Sequence, residues 1–344
     1  MMLDITNLGV HFDVFEGVAQ VLNGVSIRVG EGETVSLVGE TGCGKSVTVK
    51  TILRMMPTPP ARIVSGRITY KGRDVLAMRE EELYTLRGKE MALIPQEPMS
   101  SLNPVFSVAD QFVELIRWQG RYKVGWTHRA VKTFDGAGKK AAREKALALL
   151  ERVHIPDPKR VMTSYPVELS GGMRQRVLIA MALAGDPSLL LADEPGTALD
   201  VTTQEQILGL MKERVEKQNL AVLYITHNLG VARAMTERIY VMYAGEVVEE
   251  APTRELFRAP QHPYTQGLMA SIPKLTGGDV IGIDGFIPDY VDPPPGCRFQ
   301  PRCPYAMPEC SESRPALKTV GPNHRVACYL FQEEATAVEP EIAS

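Results

Sequence analysis

The chain has 344 residues, 44% of them apolar and 23% charged, with a formal net charge of -3 at pH 7. That length suits one large α/β domain with an appendage, and the composition is that of a globular chain that buries a sizeable core. The small charge supplies no basic field to recruit nucleic acid and no acidic block to mimic it. The most apolar run, Val177 to Gly185, stops at Asp186, far below the roughly 20 residues that span a bilayer. The opening MMLDITNLGVHFDV lacks the basic-then-apolar pattern of a signal peptide. The expectation is a cytoplasmic chain whose link to any membrane runs through another protein.

In chain order, apolar residues alternate over Leu3 to Phe12 and Gly24 to Val29, the period of half-buried strands, and Glu33 to Val38 reads as a fully buried one. A glycine-rich turn follows, then a helix predicted from Lys45 to about Met56, stopped by Pro57, Pro59 and Pro60. The segment GRITYKGRDV reads as a further strand, so the first third is a strand-rich platform around a strand–loop–helix unit. From Val108 to about Ala184 the period is mostly helical, interrupted by a polar stretch from Trp118 to Lys140 that reads as an exposed insertion. Strand patterns return at Leu189 to Ala192 and Ala221 to Ile225, with a helix from about Thr203 to Lys217 between them and another after His227. This βαβ alternation predicts a mainly parallel sheet with helices on its faces and ligand groups at the carboxyl ends of its strands. Beyond Pro263 the chain is rich in Pro and Gly, with Pro293, Pro294, Pro295 and Gly296 in a row, and reads as a small loop-rich module.

The segment Gly39-Glu40-Thr41-Gly42-Cys43-Gly44-Lys45-Ser46 fits G-x-x-x-x-G-K-[ST], between a predicted strand and the helix that continues through Val47. Its glycines let the loop wrap so that backbone N–H groups and the helix start point at phosphate oxygens. Lys45 should reach the β- and γ-phosphates and the Ser46 hydroxyl should ligate Mg²⁺. A turn that only changes direction would need neither side chain. Further on, the apolar strand Leu189 to Ala192 ends in Asp193 and Glu194, then Pro195. Asp193 is placed to hold Mg²⁺, and Glu194 to orient or polarise the attacking water. Adjacent strand residues face opposite ways, so both can serve one site only if the strand ends here, and Pro195 predicts that it does.

Those two elements fit any P-loop enzyme, from a small-molecule kinase to a helicase. Leu169-Ser170-Gly171-Gly172-Met173-Arg174-Gln175 narrows the choice, because it resembles the signature sequence of ABC ATPases and opens an apolar helix through Ala184. Ser170 suits an N-cap, and Gly171 and Gly172 leave the first amides bare to receive a phosphate. Other elements of that family follow in order. Gln96, in Ile94-Pro95-Gln96-Glu97, resembles the glutamine loop, which in the family senses Mg²⁺ and water and contacts the permease. His227, in Ile225-Thr226-His227-Asn228, resembles the switch histidine, and Ala198-Leu199-Asp200 the loop that crosses to a partner ATPase. The base-stacking aromatic expected on an early strand is assigned to Phe12, with Phe15 as the rival. One departure is Gly196-Thr197, where the family usually has two hydroxyl residues, and it predicts a more flexible loop at Gly196.

The resemblance implies a P-loop NTPase core of ABC type over residues 1–262: a RecA-like parallel sheet, an antiparallel β subdomain and a helical signature subdomain at about 105–184. A C-terminal module at 263–332 and a flexible tail at 333–344 would follow. It implies ATP sandwiched between two subunits. Lys45 and the partner's signature residues, equivalent to Ser170, Gly171, Gly172 and Gln175, would offset phosphate charge. Mg²⁺ would be held through Ser46, Gln96 and Asp193, and Glu194, His227 and Gln96 would be catalytic. Longer strings are similar to the oligopeptide/dipeptide importers: Gln96 to Pro104, Leu169 to Met181, Thr197 to Thr202, His262 to Thr265 and Gly296 to Cys303. That similarity implies peptide import, with nickel or another small solute as the alternative. It also implies a second related ATPase as partner, two membrane permeases and an extracytoplasmic binding protein, with this chain peripheral on the cytoplasmic membrane face. A soluble ABC protein of DNA repair or translation would be expected to carry a long coiled-coil insertion or a second cassette, and neither pattern is present.

Cys297, Cys303, Cys310 and Cys328 cluster in the Pro/Gly-rich tail, which has little apolar material for a core of its own. A reducing cytosol disfavours disulfides, and zinc sites more often use close C-x₂₋₄-C pairs. Four thiolates from one segment suit a [4Fe–4S] cluster, which the family resemblance also implies at this motif. Zinc, with His324 as a possible ligand, and free thiols in a packed tail are the alternatives. Cys43 belongs to the phosphate loop.

Overall fold

The computed structural model describes residues 1–121, 136–196, 201–272 and 282–332. The centre of the predicted insertion, the loop with Asp200 and the tail 333–344 lie outside the described residues. Strands β1 (Leu3–Val14) and β2 (Gly17–Val29) pair antiparallel, and β3 (Thr34–Val38) leads into helix α1 (Lys45–Ile52). The helix stops four residues before the predicted end. Arg54 takes a left-handed conformation, φ 49°, and the Arg87 guanidinium collects the carbonyls of Leu53 and Arg54 at 2.8 and 2.9 Å, which satisfies the helix terminus without another turn. Strands β4 (Ala61–Tyr70) and β5 (Arg73–Asp74) complete a four-stranded antiparallel sheet of order β2-β1-β4-β5.

Helix α2 (Glu80–Leu86), strand β6 (Met91–Ile94) and the single turn α3 (Pro98–Ser101) precede a helical layer of α4 (Val108–Arg121), α5 (Gly136–Arg152), α6 (Pro158–Thr163) and α7 (Gly171–Leu183). The chain then alternates through β7 (Leu189–Asp193), α8 (Val201–Gln218), β8 (Ala221–Thr226), α9 (Leu229–Met235) and β9 (Arg238–Tyr243). Strand β10 (Glu246–Pro252), helices α10 (Thr253–Arg258), α11 (Pro263–Ala270) and α12 (Glu309–Glu312), and strands β11 (Lys318–Gly321) and β12 (His324–Val326) finish the fold.

The larger sheet has the order β11-β12-β10-β9-β3-β8-β7-β6. Strands β9, β3, β8, β7 and β6 run parallel, as the βαβ alternation predicts, and β10, β12 and β11 are antiparallel, so the sheet is mixed. Side-chain alternation divides its faces. Leu189, Leu191, Leu223 and Ile225 point into one core shared with the small sheet and α1. Leu190, Ala192, Val222 and Tyr224 point into a second core under the helical layer.

The cysteine-rich tail shares the cassette's core. Tyr264 and Phe299 are buried in a third cluster with Val241 and Tyr243 of β9, and Cys297 and Cys303 pack against it. Strand β12 extends the large sheet by pairing with β10, Glu249 opposite Val326 and Glu250 opposite Arg325. The expectation of a loop-rich module short of apolar support is corrected on this point. A few large aromatics inserted into a neighbouring core replace the core the tail lacks.

Candidate nucleotide-binding site

The loop of residues 39–46 joins the carboxyl end of β3 to α1. Gly44 sits at the helix N-cap with φ 106°, and a Cβ there would lie 2.8 Å from the Leu22 side chain, so glycine is needed for both conformation and space. Lys45 is buried and its Nζ donates to the carbonyls of Gly39 and Glu40, each at 2.8 Å. Thr41 and Gly42 are exposed at the tip, Cys43 is fully buried beneath it, and Val47 packs partly on the first core.

Strand β7 ends at Asp193, as Pro195 predicts, and Glu194 then takes a left-handed conformation, φ 49°. That turn lets consecutive carboxylates serve one site. The Asp193 carboxyl accepts from the Ser46 hydroxyl, and burial is the main force raising its pKa. Its Oδ1 is buried without a hydrogen-bond partner, a cost that a cation beside Ser46 would relieve. Glu194 is 8% exposed. Gln96 Nε2 donates to its Oε2 at 3.3 Å, and His227 Nδ1 lies 2.9 Å from its Oε1. The Glu194 N–H donates to the Ile225 carbonyl at 2.9 Å, locking the ends of β7 and β8 together and so bringing His227 in. Residues 98 and 33 positions from Glu194 thus meet at its carboxylate.

Ser170 caps α7 by accepting from the Met173 N–H at 3.3 Å. It is exposed, and Gly171 and Gly172 are half-exposed, so the helix start is open as predicted. Gln175, the fourth signature residue, lies deeper than Ser170, Gly171 and Gly172. It is 1% exposed, because it shares the inward face of α7 with Leu178 and Ile179. Phe12 is half-buried against the first core, and Phe15 stands exposed in the β1–β2 turn. Gly196 is closely approached: a Cβ would lie 2.7 Å from Gln204 Nε2.

A family model described as ABC transporter matches residues 22–197, and one described as oligopeptide/dipeptide transporter, C-terminal region, matches 248–310. A probable peptide ABC transporter ATP-binding protein of Sinorhizobium fredii is 43% identical over 336 residues, 97% of this chain and 96% of that protein. The chain belongs to the ABC transporter ATP-binding family. The dipeptide transport ATP-binding protein of Bacillus subtilis is 42% identical over 336 residues, again 97% and 96% of the two chains. Among solved structures, the post-hydrolysis dimer of the ATP-binding cassette MJ0796 bound to ADP and Pi matches with a TM-score of 0.63 at 28% identity. It covers 74% of this chain and 99% of that one. The fold is accordingly the ABC cassette, α/β with mixed sheets. Among the described residues no helix is long and apolar enough to cross a membrane.

The C-terminal cysteines line one small cavity together with His262. The four cysteines converge as the sequence leads one to expect, but none of the similarities reported above names an iron–sulfur cluster. Among the described residues no three His, Cys, Asp or Glu side chains stand together so as to hold a metal ion. Burial pushes the Cys297 thiol up to about 12 and the Cys328 thiol up to about 11 and also raises Cys303. His324, the alternative zinc ligand, is committed elsewhere. Its Nε2 is 2.7 Å from Oε1 of the fully buried Glu249, whose two oxygens also accept from the N–H groups of Gln261 and His262 at 2.8 and 2.9 Å. Sequence reasoning assigned no role to Tyr264, Tyr290 or Arg302, although the strings that contain Tyr264 and Arg302 stood out; all three touch the phosphate loop.

Proposed function

We propose that this chain is the ATP-hydrolysing subunit of a peptide importer, and that residues 39–47 with Asp193, Glu194, Gln96 and His227 form its active site. The convergence of Gln96 and His227 on Glu194 carries the reading. Lys45 and the loop amides receive the phosphates. Ser46, Asp193 and Gln96 would hold Mg²⁺, which when bound supplies charge neutralisation at the phosphate oxygens. Glu194 accepts the proton of the attacking water, and its links to Gln96 and His227 fix the carboxylate's direction. Phe12 is the proposed surface for the base. Ser170, Gly171 and Gly172 are proposed to face the nucleotide of a partner ATPase, whose crossing loop would correspond to Asp200. Glu194→Gln separates binding from chemistry. In the assembled transporter ATP turnover should fall about a hundredfold or more with nucleotide still retained, and near-parental turnover would remove Glu194 from the catalytic role.

Its relatives' names support peptide as the substrate, with nickel or another small solute as the alternative. The same reading has the chain pair with a second related ATPase and dock two permeases from the cytoplasmic face, an extracytoplasmic binding protein delivering the solute. Its proposed division is 1–262 for the cassette, with the helical part at about 105–184, then 263–332 and a tail at 333–344.

The cavity shared by the four cysteines supports a second reading for the tail, in which deprotonated Cys297, Cys303, Cys310 and Cys328 close on a [4Fe–4S] cluster. Anaerobic purification tests it. Brown protein with about four iron and four sulfide per chain supports the cluster, and colourless, iron-free protein removes it.

A further inference from the structure

The phosphate loop is held from behind by residues that lie beyond position 262. The Tyr264 hydroxyl accepts from the Glu40 N–H at 2.9 Å. Arg302 Nη1 donates to both Glu40 carboxylate oxygens, at 3.0 and 3.3 Å. The Tyr290 hydroxyl donates to the Gly42 carbonyl at 2.8 Å. The Glu40 carbonyl accepts from Lys45 Nζ and from the Cys43 N–H. Glu40 is therefore fixed at its amide, its carbonyl and its side chain, and two of those three anchors come from the C-terminal segment.

The anchors are themselves rigid. The Arg302 side chain is 5% exposed; its Nε and Nη2 reach the carbonyls of Asp284 and Ile283 at 2.8 and 3.0 Å, and Nη1 also reaches the Tyr243 hydroxyl at 3.3 Å. The Tyr290 carbonyl accepts from the Gln20 N–H at 2.7 Å. Because a peptide unit is planar and trans, holding the Gly42 carbonyl outward fixes the opposite direction of the Cys43 N–H, which closes the turn on Glu40. The Cys43 carbonyl, held at 2.8 Å by the Gly245 N–H, fixes the Gly44 N–H in the same way. Arg302 also neutralises a carboxylate that would otherwise stand beside an incoming polyphosphate.

We propose that Arg302 and Tyr290 are positioning residues for the nucleotide, holding the phosphate loop in its receiving geometry so that the C-terminal segment sets ATP affinity. The inference rests on reading residues 39–47 as the phosphate-binding loop. A preordered loop loses less entropy on binding, so loosening it weakens affinity without touching the catalytic carboxylate.

The test uses the full chain and a non-hydrolysable ATP analogue with Mg²⁺. Tyr290→Phe removes one hydroxyl, and Arg302→Gln removes the charge. Each should weaken analogue binding roughly three- to tenfold, with Arg302→Lys recovering part of the loss. In the assembled transporter KM for ATP should rise while kcat stays near the parent, a split that general destabilisation would not give. Analogue affinity within twofold of the parent for both variants overturns the proposal, and should Arg302→Gln fail to fold, Tyr290→Phe alone decides. Lys45→Ala separates the two readings. If it loses binding while the brace variants keep it, only the brace is wrong. If it keeps parental affinity, the phosphate-loop reading has failed and the brace falls with it.

Discussion

Asp193 and Glu194 are neighbours in sequence with different surroundings. Asp193 is buried beside Ser46 with one oxygen unpartnered, the state of a ligand, whereas Glu194 has each oxygen engaged, by Gln96 and His227, the state of an oriented base. His262 shows the same contrast between burial and charge at a distance from the loop. It is fully buried, and desolvation lowers its pKa from 6.5 to about 4 despite the nearby Glu249 carboxylate. The folded chain therefore binds fewer protons at this residue than the unfolded chain. Its contribution is fully present above pH 6.5 and is lost as pH falls toward 4, by up to about 3 kcal/mol. Urea unfolding at pH 7.5 and pH 5 should show that loss, and His262→Asn, which can still accept from the Tyr264 N–H, should flatten it. An unchanged pH slope in the variant would assign the acid sensitivity to another group.

At the scale of elements, most of the cassette was legible because its signals are local. The buried strand before Gly39, the apolar run into Asp193 and the start of α8 each carry their own periodicity or terminating residue, and the structure places them within a few positions. The meeting of Gln96, Glu194 and His227 was legible only through family order, since no local pattern says that the ends of β6, β7 and β8 adjoin. The tail was misread for a physical reason. Composition counts apolar residues within a segment, but Tyr264 and Phe299 are buried against Val241 and Tyr243 of β9, far away in sequence. The preference for a metal over a packed tail with free thiols followed from that count. For Gln175 a motif gives the residue type and leaves the helix face to the register of α7, which turns it inward.

At the scale of the whole molecule, the open start of α7 and the phosphate loop are the two halves of the proposed nucleotide sandwich, and each needs a second subunit to complete it. The purified chain alone should therefore hydrolyse ATP at least about tenfold more slowly than the assembled transporter, because orientation supplied by a partner is absent. Steady-state phosphate release at matched active-site concentration measures this. An isolated monomer as fast as the complex would refute the shared site.

Strand β12 has a further consequence for the molecule's behaviour in solution. It covers one side of β10, where the Ala327 N–H reaches the Val248 carbonyl at 2.8 Å and Glu249 and Glu250 face Val326 and Arg325. Cut away with the tail, it would leave β10 as a bare edge whose free amides and carbonyls template pairing with another chain. Glu249 would lose the His324 imidazole in the same stroke, and the Glu250 carboxylate would lose the Arg325 guanidinium that clasps it. A chain shortened to its catalytic cassette would keep Lys45, Asp193 and Glu194 and become sticky, so the tail that braces the phosphate loop also guards against aggregation.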